Sequence, residues 1–230
     1  MFRNTCIVCS SSNLDTIINL GNHPFADTFI TESRLSETEP NYPLECELCQ
    51  DCGQIQTKCI TDPILRYSGY EYSYTSSNSS FSRNHWDHFA IDISKQINLK
   101  ENAFVVEIGS NDGYLCEQFI KHGFKVLGVD ASPYMVELAK ERHIESLVGL
   151  FTFDIVEKIK NKYGKSELIV ANNVFNHADK PVDFANAVSS LLRPEGTFVF
   201  ESPYWCIGLE NNQFDQIYHE HVSYLTVRSI

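Results

Sequence analysis

Two pairs of cysteines stand at a spacing that can hold a metal ion. Cys6 and Cys9 form one C-x-x-C pair, and Cys49 and Cys52 form a second, which Gly53 follows directly. Each pair places two sulfurs on one side of a tight turn, and four thiolates match the tetrahedral preference of Zn²⁺. We therefore expect a four-cysteine zinc site, and its role is structural because no coordination position stays open for a substrate.

Two features of this cysteine set leave alternatives open. The 39 residues between the pairs exceed the usual separation in such sites. Lengthening the loop from about 18 residues to that value adds only about 0.7 kcal/mol of closure entropy, against roughly 10 to 16 kcal/mol from structural zinc. Cys46 also stands three residues from Cys49 and could replace Cys52, although Gly53 favours Cys52. Free thiols or a redox pair are the other interpretations.

A glycine-rich turn after an apolar run is the second feature with chemical potential. Residues 104–108 predict a buried strand, and Gly109 to Gly113 predict a turn that opens a helix. Such a turn brings backbone N–H groups to a ligand at the carboxyl edge of a sheet. The dinucleotide pattern G-x-G-x-x-G needs glycine where Asn111 and Tyr114 stand, so a nicotinamide dinucleotide fits badly.

Carboxylates accompany this turn. Glu107 lies just before the first glycine, and Asp130 follows the next apolar run, where it can accept the hydroxyls of a ribose. Asn111 tolerates the left-handed conformation that glycine would otherwise supply. The arrangement E-x-G-x-x-x-G resembles that of S-adenosylmethionine-dependent methyltransferases; the plain alternative is a structural turn with a solvated Asp130. The predicted cofactor-binding residues are Glu107, Gly109, Asn111, Asp112, Gly113, Asp130, Asn172 and Asn173.

Short apolar runs alternate with helical spacing in the second half of the chain. Strands are predicted at residues 104–108, 125–129, 168–171 and 197–201, with a weaker one at 146–148, and helices at 115–121, 133–142 and 182–192. Alternation of this kind predicts right-handed crossovers and a parallel sheet covered on both faces. The fold class is therefore α/β with a doubly wound, Rossmann-like sheet, and the resemblance of the E-x-G-x-x-x-G turn implies the class I methyltransferase type.

The sequence divides into three segments. Residues 1–62 form the predicted zinc-binding domain, which needs the metal because so short a segment buries little surface. Residues 63–100 contain a tyrosine-rich stretch and a linking helix, in which Trp86 and later apolar residues recur at helical steps. Residues 101–230 form the predicted cofactor-binding core.

Charge and composition exclude several classes of protein. The chain of 230 residues has 18 basic and 30 acidic residues, a formal net charge of −12, so nucleic acid is not an expected partner. There is no run of about 18 apolar residues that would span a membrane. The N-terminus lacks a basic start followed by an apolar run, so no secretory signal is expected and the predicted location is cytoplasmic. The sequence does not determine an oligomeric state.

The motifs along the whole chain resemble one family, the bacterial nucleotide-sugar C-methyltransferases, which include enzymes that add a branch methyl group at C3 of deoxyhexoses. The motifs that resemble the family's zinc-binding domain are Cys6-x-x-Cys9, Gly21-Asn-His-Pro24-Phe-Ala26 and Cys49-x-x-Cys52-Gly53-Gln54. Those that resemble its cofactor core are Glu107-Ile-Gly-Ser-Asn-Asp-Gly113, Gly128-Val-Asp130 and Ala171-Asn-Asn-Val174. The segment that resembles its catalytic segment is Phe214-Asp-Gln-Ile-Tyr218-His219-Glu220-His221.

This resemblance implies roles for residues at matching positions. His221 would be the base that removes a proton beside a sugar keto group, with Tyr218 and Glu220 assisting. His177 and a tyrosine, Tyr72 or Tyr74, would complete the site. A carbon acid of this kind needs a base near neutrality and donors for the developing oxyanion, and the resulting enolate carbon can attack the methyl group of S-adenosylmethionine.

Local geometry adds a condition to these roles. In an extended strand Glu220 and His221 would point to opposite faces, so a shared role requires a turn there. The family's chains continue beyond the catalytic segment, so the resemblance also implies a core that is incomplete at its C-terminus. The implied substrate is a nucleotide-linked keto-deoxysugar. The alternatives are a methyltransferase for an oxygen or nitrogen of another small metabolite, and a truncated, non-catalytic zinc- and cofactor-binding fragment.

Overall fold

Five parallel strands form the larger sheet in a computed structural model of the chain, which describes residues 1–26, 30–68 and 74–230. Elements are numbered in chain order. The strands are β1 Leu14–His23, β2 Tyr42–Cys49, β3 Ile55–Thr57, β4 Phe104–Ile108, β5 Lys125–Asp130, β6 Ser146–Val148, β7 Ser166–Val170, β8 Leu192–Val199 and β9 Ser223–Tyr224. The α-helices are α1 Pro63–Ser68, α2 Ser80–Gln96, α3 Tyr114–Lys121, α4 Pro133–Glu141, α5 Phe153–Tyr163, α6 Pro181–Leu191 and α7 Trp205–Glu210.

The chain separates into two units. One unit comprises residues 72–172 and 183–200, and we call it the sheet unit because it contains β4 to β8. The other comprises residues 1–71, 173–182 and 201–230, and we call it the cysteine unit. The cysteine unit is therefore assembled from three separate stretches of the chain, and its last stretch is the one that carries the predicted catalytic segment.

The sheet unit confirms the predicted doubly wound fold. Its strand order is β6-β5-β4-β7-β8, and every neighbouring pair is parallel. The order reverses at β4, whose carboxyl end leads into the glycine turn, and this is the position where such sheets bind ligands. All five residues of β4 are buried, as expected for a central parallel strand.

The linking helix packs on this sheet unit. Trp86 and Ala90 of α2 are buried in a core with Val105, Leu115 and Phe119. This core confirms the apolar face that helical spacing predicts for the segment after residue 80.

Some sequence predictions of elements are corrected. The third and fourth predicted strands begin earlier than expected, at Ser166 and Leu192, and end at Val170 and Val199. Helix α5 was not predicted, because its apolar stripe of Ile155, Val156 and Ile159 is short and is surrounded by charged residues.

The cysteine unit contains a second sheet, which the sequence did not predict. Its four antiparallel strands stand in the order β1-β2-β3-β9. β9 joins the sheet through Tyr224, which pairs with Ile55 of β3. This pairing attaches the end of the chain, and with it residues 218–222, to the strands that follow the cysteine pairs.

No helix among the described residues has both the length and the apolar character that a membrane span requires.

Candidate functional site

The four predicted cysteine ligands converge in the cysteine unit. Sulfur atoms of Cys6, Cys9, Cys49 and Cys52 all lie within 4.8 Å of one another. Cys6 Sγ stands 3.6 Å from Cys52 Sγ, and Cys9 Sγ stands 3.6 Å from Cys49 Sγ. A tetrahedral zinc ion with bonds of about 2.3 Å requires sulfur separations of about 3.8 Å, so this donor set fits Zn²⁺.

Cys46 lies outside this group. Its side chain is fully buried and hydrogen-bonds Tyr224, and burial raises the pKa of its thiol to about 11. Burial also acts to raise the pKa of Cys49, but backbone N–H groups of Cys52 and Asp51 lower it to about 7. Cys49 therefore ionises more readily than Cys52, whose pKa burial raises to about 12.

Backbone conformation in the glycine turn matches the expectation for each position. Gly109 and Gly113 have positive φ values of 69° and 76°, and Asn111 takes the left-handed conformation at φ 50°. Asp130 accepts the backbone N–H of Asn111 and of Ser132, each at 2.8 Å. Asp130 as a residue is partly exposed, although burial raises the pKa of its carboxyl, and in its predicted role its oxygens would also accept ribose hydroxyls.

Asn111 and Asp112 hold a neighbouring segment against this turn. Asn111 accepts the Ser76 backbone N–H at 2.8 Å and donates to the Tyr74 carbonyl at 3.0 Å. The buried Asp112 carboxylate accepts both the Ser76 hydroxyl, at 2.5 Å, and the Ser77 hydroxyl. Both side chains, predicted from the sequence as cofactor contacts, thus also fix residues 74–77 beside the glycine turn.

Glu107 is the third carboxylate of this region. It is buried at the end of β4 and accepts a hydrogen bond from the Cys116 thiol at 2.9 Å. Burial, with the nearby charges of Asp112 and Asp130, raises the pKa of Glu107 to about 8, although the Cys116 bond opposes that shift. At pH 7 the Glu107 carboxyl is therefore mostly protonated, and Asp112 is already paired with Arg142 at 3.3 Å.

The remaining predicted cofactor residues follow β7. Asn172 is partly exposed and belongs to the sheet unit, whereas Asn173 belongs to the cysteine unit. Asn173 has a left-handed backbone, φ 55°, and its N–H donates to the Glu201 carbonyl at 2.8 Å.

The predicted catalytic histidines meet inside the cysteine unit. The ring centroids of His177 and His221 are 5.1 Å apart, and those of Tyr218 and His221 are 4.0 Å apart. His221 and Glu220 are buried, with 6% and 2% of their surface exposed. The structure therefore brings four of the six predicted catalytic residues together.

The predicted turn before His221 is present. The His221 N–H donates to the Tyr218 carbonyl at 3.1 Å, so this segment is not extended at Glu220. His219 points elsewhere: its Nε2 lies 3.2 Å from the Tyr42 carbonyl, and its ring packs on Phe25.

One contact defines the protonation of His221. Its Nδ1 lies 2.8 Å from the Gln216 carbonyl, and since a carbonyl only accepts, Nδ1 carries the proton. Nε2 is then the basic atom. Burial lowers the pKa of His221 to about 4, despite the opposing bond to Gln216, so the ring is neutral at pH 7 but is a weaker base than the near-neutral one expected from the sequence.

His177 has a different environment. The Tyr67 hydroxyl lies 3.1 Å from its Nδ1, and its buried Nε2 has no hydrogen-bond partner among the described residues. Burial, followed by the influence of His221 and Arg66, holds its pKa well below the ordinary 6.5. Both imidazoles are therefore neutral and able to accept a proton.

The tyrosine beside His177 is not one that the sequence singled out. Of the two predicted tyrosines, Tyr72 lies outside the described residues, and Tyr74 is 43% exposed and belongs to the sheet unit. Tyr67 belongs to the same tyrosine-rich stretch, but no spacing rule distinguishes it, because its partner lies 110 residues further along the chain.

The sheet order and the glycine turn at its switch point define a class I methyltransferase fold, and the four-sulfur cluster forms a donor set that fits a structural zinc ion. Residues 6–67 match the family model of a zinc binding domain, and residues 81–230 match that of a methyltransferase domain. The chain belongs to this methyltransferase family.

Individual relatives were also found. The chain is 30% identical over 225 residues to the C-methyltransferase NovU of Streptomyces niveus, a match that covers 98% of this chain and 53% of that protein. It is 28% identical over 97 residues to the ubiquinone biosynthesis O-methyltransferase of Bartonella tribocorum, covering 42% of this chain and 39% of that protein. The chain thus spans about half the length or less of these relatives.

Among solved structures, the chain is similar to CalS10, an amino pentose methyltransferase from Micromonospora echinaspora with bound S-adenosylmethionine. The TM-score is 0.47 at 19% sequence identity, covering 57% of this chain and 58% of that one.

Proposed function

We propose that the protein transfers a methyl group from S-adenosylmethionine to a carbon of a nucleotide-linked keto-deoxysugar. The observation that carries this proposal is the neutral, buried imidazole of His221, whose proton is held at Nδ1 by the Gln216 carbonyl. Methyl transfer to an oxygen or nitrogen atom breaks no C–H bond of the acceptor, so it does not require a base beside a carbon acid. The C-methyltransferase name of the relative NovU supports the same choice of acceptor.

His221 Nε2 removes the proton from the carbon beside the keto group in this proposal. The electron pair of the broken C–H bond moves toward the carbonyl and produces an enolate, whose oxygen needs a hydrogen-bond donor. Tyr218, with its ring 4.0 Å from that of His221, is the proposed donor, and Glu220 assists from the same turn. The imidazolium that forms is destabilised by burial, so the proton returns to solvent readily once the enolate has reacted.

S-adenosylmethionine supplies an electrophilic methyl group when it is bound. The residues that would hold it are those of the glycine turn and its carboxylates, namely Glu107, Gly109, Asn111, Asp112, Gly113, Asp130, Asn172 and Asn173. Asp130 would accept ribose hydroxyls, and the backbone N–H groups at the start of α3 would approach the ligand.

Deuterium exchange tests the first step separately from methyl transfer. The protein is incubated in deuterated water with a nucleoside-diphosphate 4-keto-6-deoxyhexose, and exchange at the carbon beside the keto group is followed by NMR. We expect exchange with the unaltered chain and at least a 100-fold slower rate with His221→Ala. S-adenosylmethionine binding, measured by calorimetry, should be equal for the two.

His88→Ala is the matched control, because His88 is exposed and lies in the sheet unit. It should exchange at the unaltered rate. Exchange that persists in His221→Ala contradicts the role of His221. If the unaltered chain exchanges nothing but methylates a hydroxyl of a small aromatic acceptor, the O-methyltransferase alternative is correct.

A further inference from the structure

A single carboxylate joins two arginines next to the histidine pair. Asp179 Oδ1 accepts from Arg3 Nη2 at 2.6 Å, and Asp179 Oδ2 accepts from Arg66 Nη2. The Arg66 side chain is fully buried, and that of Arg3 is 9% exposed. We call these three residues the arginine clamp.

Each arginine of the clamp also binds a backbone carbonyl. Arg3 Nε donates to the Thr57 carbonyl at 3.1 Å, and Arg66 Nη1 lies 3.4 Å from the His219 carbonyl. The clamp thus connects the N-terminus, β3, helix α1 and the turn at residues 218–221. These contacts span up to 176 residues of sequence, so local structure alone does not produce them.

Arg66, Asp179 and Thr57, the backbone partner of Arg3, each lie close to a proposed catalytic histidine. Arg66 precedes Tyr67, whose hydroxyl lies 3.1 Å from His177 Nδ1. Asp179 stands two residues after His177. On the other side, the Thr57 hydroxyl donates to the His221 carbonyl at 2.6 Å. A shift of the clamp would therefore move both imidazole rings.

Stability alone is a weak reason for such a cluster. Removing a guanidinium from water is costly, and an apolar side chain of the same volume is often as stable as a buried ion pair. Arg66 Nε, moreover, is buried with no hydrogen-bond partner in the described part of the chain. The compensating gain must come from geometry, because a planar guanidinium fixes its partners in direction as well as in distance.

We propose that Arg66 and Asp179 are positioning residues, which hold Tyr67 against His177 and fix the turn that carries His221. This inference rests on the proposed function, since it takes His221 as the base. It adds residues that act on the reaction through others and touch no substrate.

Charges around His177 are consistent with this arrangement. From α1 it faces Tyr67 and Arg66, and from the turn it faces His221, with Glu220 close to Tyr67. Asp179 offsets the charge of Arg66 directly. Because Asp179 is negative, its replacement by a neutral residue would by charge alone lower the pKa of the histidines further and leave both rings neutral.

Asp179→Asn therefore separates positioning from electrostatics. We expect it to break the Tyr67–His177 hydrogen bond, seen as a change in the ring ¹⁵N resonances of His177 in the ligand-free protein, assigned with His177→Gln. The same variant should slow deuterium exchange at least 10-fold in kcat and change KM less than 2-fold. Zinc content and S-adenosylmethionine affinity should be unchanged.

A double-mutant comparison tests the route through Tyr67. Tyr67→Phe removes the hydroxyl, so Asp179→Asn should slow exchange much less in that background than in the unaltered chain. Arg66→Lys is the second variant if Asp179→Asn folds poorly: it keeps the charge but lacks the fork that reaches both Asp179 and His219. The matched control is Arg193→Met, which removes an exposed arginine paired with Glu167 in the sheet unit.

Two results would overturn the inference. One is an Asp179→Asn protein with unchanged His177 resonances, and the other is an additive effect of Asp179→Asn and Tyr67→Phe. Absence of exchange in the unaltered chain would instead refute the proposed function, and the resonances of His177 would then decide the clamp by themselves.

Discussion

At the scale of single residues, the environment of a histidine decides its chemistry more than its identity does. The sequence contains eight histidines, and three of them stand within residues 177–221 of the proposed site. His219 and His221 are both buried, yet His219 contacts an aromatic pair while His221 stands beside Tyr218 and His177. The sequence distinguishes the two only through the resemblance of the whole motif, because two histidines that stand two residues apart share the same local sequence surroundings.

The pH dependence of proton abstraction follows from the burial of His221. The base acts only when neutral, and its pKa is lowered to about 4, so kcat/KM for deuterium exchange should fall on the acid side at a pH well below 6.5. The measurement is the exchange rate between pH 4 and pH 8.

A folding control is needed for that profile. Neutral burial of His177 and His221 contributes stability that is present above pH 6.5 and is lost as the pH falls, because the unfolded rings take up protons first. Circular dichroism at each pH separates unfolding from protonation of the base. An acid limb at pH 6.5 or above in a folded protein would contradict the prediction.

The pKa of Glu107 predicts a pH dependence of stability that is opposite in sign to that of the two histidines. Its pKa in the folded chain, about 8, exceeds the ordinary 4.5, so the folded carboxyl keeps a proton that the unfolded one has released. Above pH 6.5, where the two histidines are neutral in both states, the free energy of unfolding should therefore decrease as the pH rises to about 9. Glu107→Gln should remove most of this decrease, as measured by urea unfolding.

Glu137→Gln serves as the control for Glu107→Gln, because Glu137 is exposed and pairs only with Lys140 on its own helix among the described residues. It should leave the slope of stability against pH unchanged. Equal slopes for Glu107→Gln and the unaltered chain would show that Glu107 ionises normally.

At the scale of elements, the glycine turn is determined locally and the second sheet is not. Strand β4 and the turn after it were predicted because a run of buried residues and the conformations of Gly109, Asn111 and Gly113 depend on neighbours in sequence. Strand β1 exposes most of its residues, so it shows no alternation for a pattern to detect. Its sheet is completed by β9, more than 160 residues beyond β3, and pairing at that distance leaves no local signal.

Gly113 allows the turn to be tested quantitatively. Its φ is +76°, and an added Cβ would stand 3.0 Å from Ile144 Cγ1 and 3.1 Å from Ala139 Cβ. Gly113→Ala should lose about 1 to 2 kcal/mol to the left-handed backbone and a further about 1 to 3 kcal/mol to overpacking. Urea unfolding measures this loss, and calorimetry should show weaker S-adenosylmethionine binding.

Gly123→Ala is the control for that substitution. Gly123 has a similar φ of +84°, but nothing lies within 4 Å of its added Cβ. It should show the backbone cost alone and bind S-adenosylmethionine normally. If the two variants lose equal stability, the contact with α4 and Ile144 does not constrain the turn.

At the scale of the whole molecule, the site depends on a unit made of three stretches of chain. The zinc ligands are all in residues 6–52, whereas the histidine pair is in the second and third stretches. The cysteine pairs could be predicted because each is local, but Tyr67, Arg66 and Asp179 could not, since their contacts cross more than 100 residues. The structure thus adds the part of the site that depends on tertiary packing.

Zinc removal should disturb the positions of the histidines through the four-stranded sheet of the cysteine unit. Cys49 ends β2, β2 pairs with β3, and the Thr57 N–H of β3 donates to the Val222 carbonyl, just before β9, at 2.9 Å. Loss of the metal leaves four thiols without a common ligand and weakens β2, so the turn that carries His221 should lose its support.

A zinc chelator should therefore abolish deuterium exchange while calorimetry still detects S-adenosylmethionine binding, because the sheet unit has its own core. Cys52→Ala should have the same effect, and Cys46→Ala should keep one zinc per chain, because Cys46 lies outside the sulfur cluster. Zinc added back to the chelated protein should restore exchange. If exchange survives complete removal of the metal, the four-stranded sheet holds the turn without zinc, and the ion then serves only the residues around the cysteine pairs.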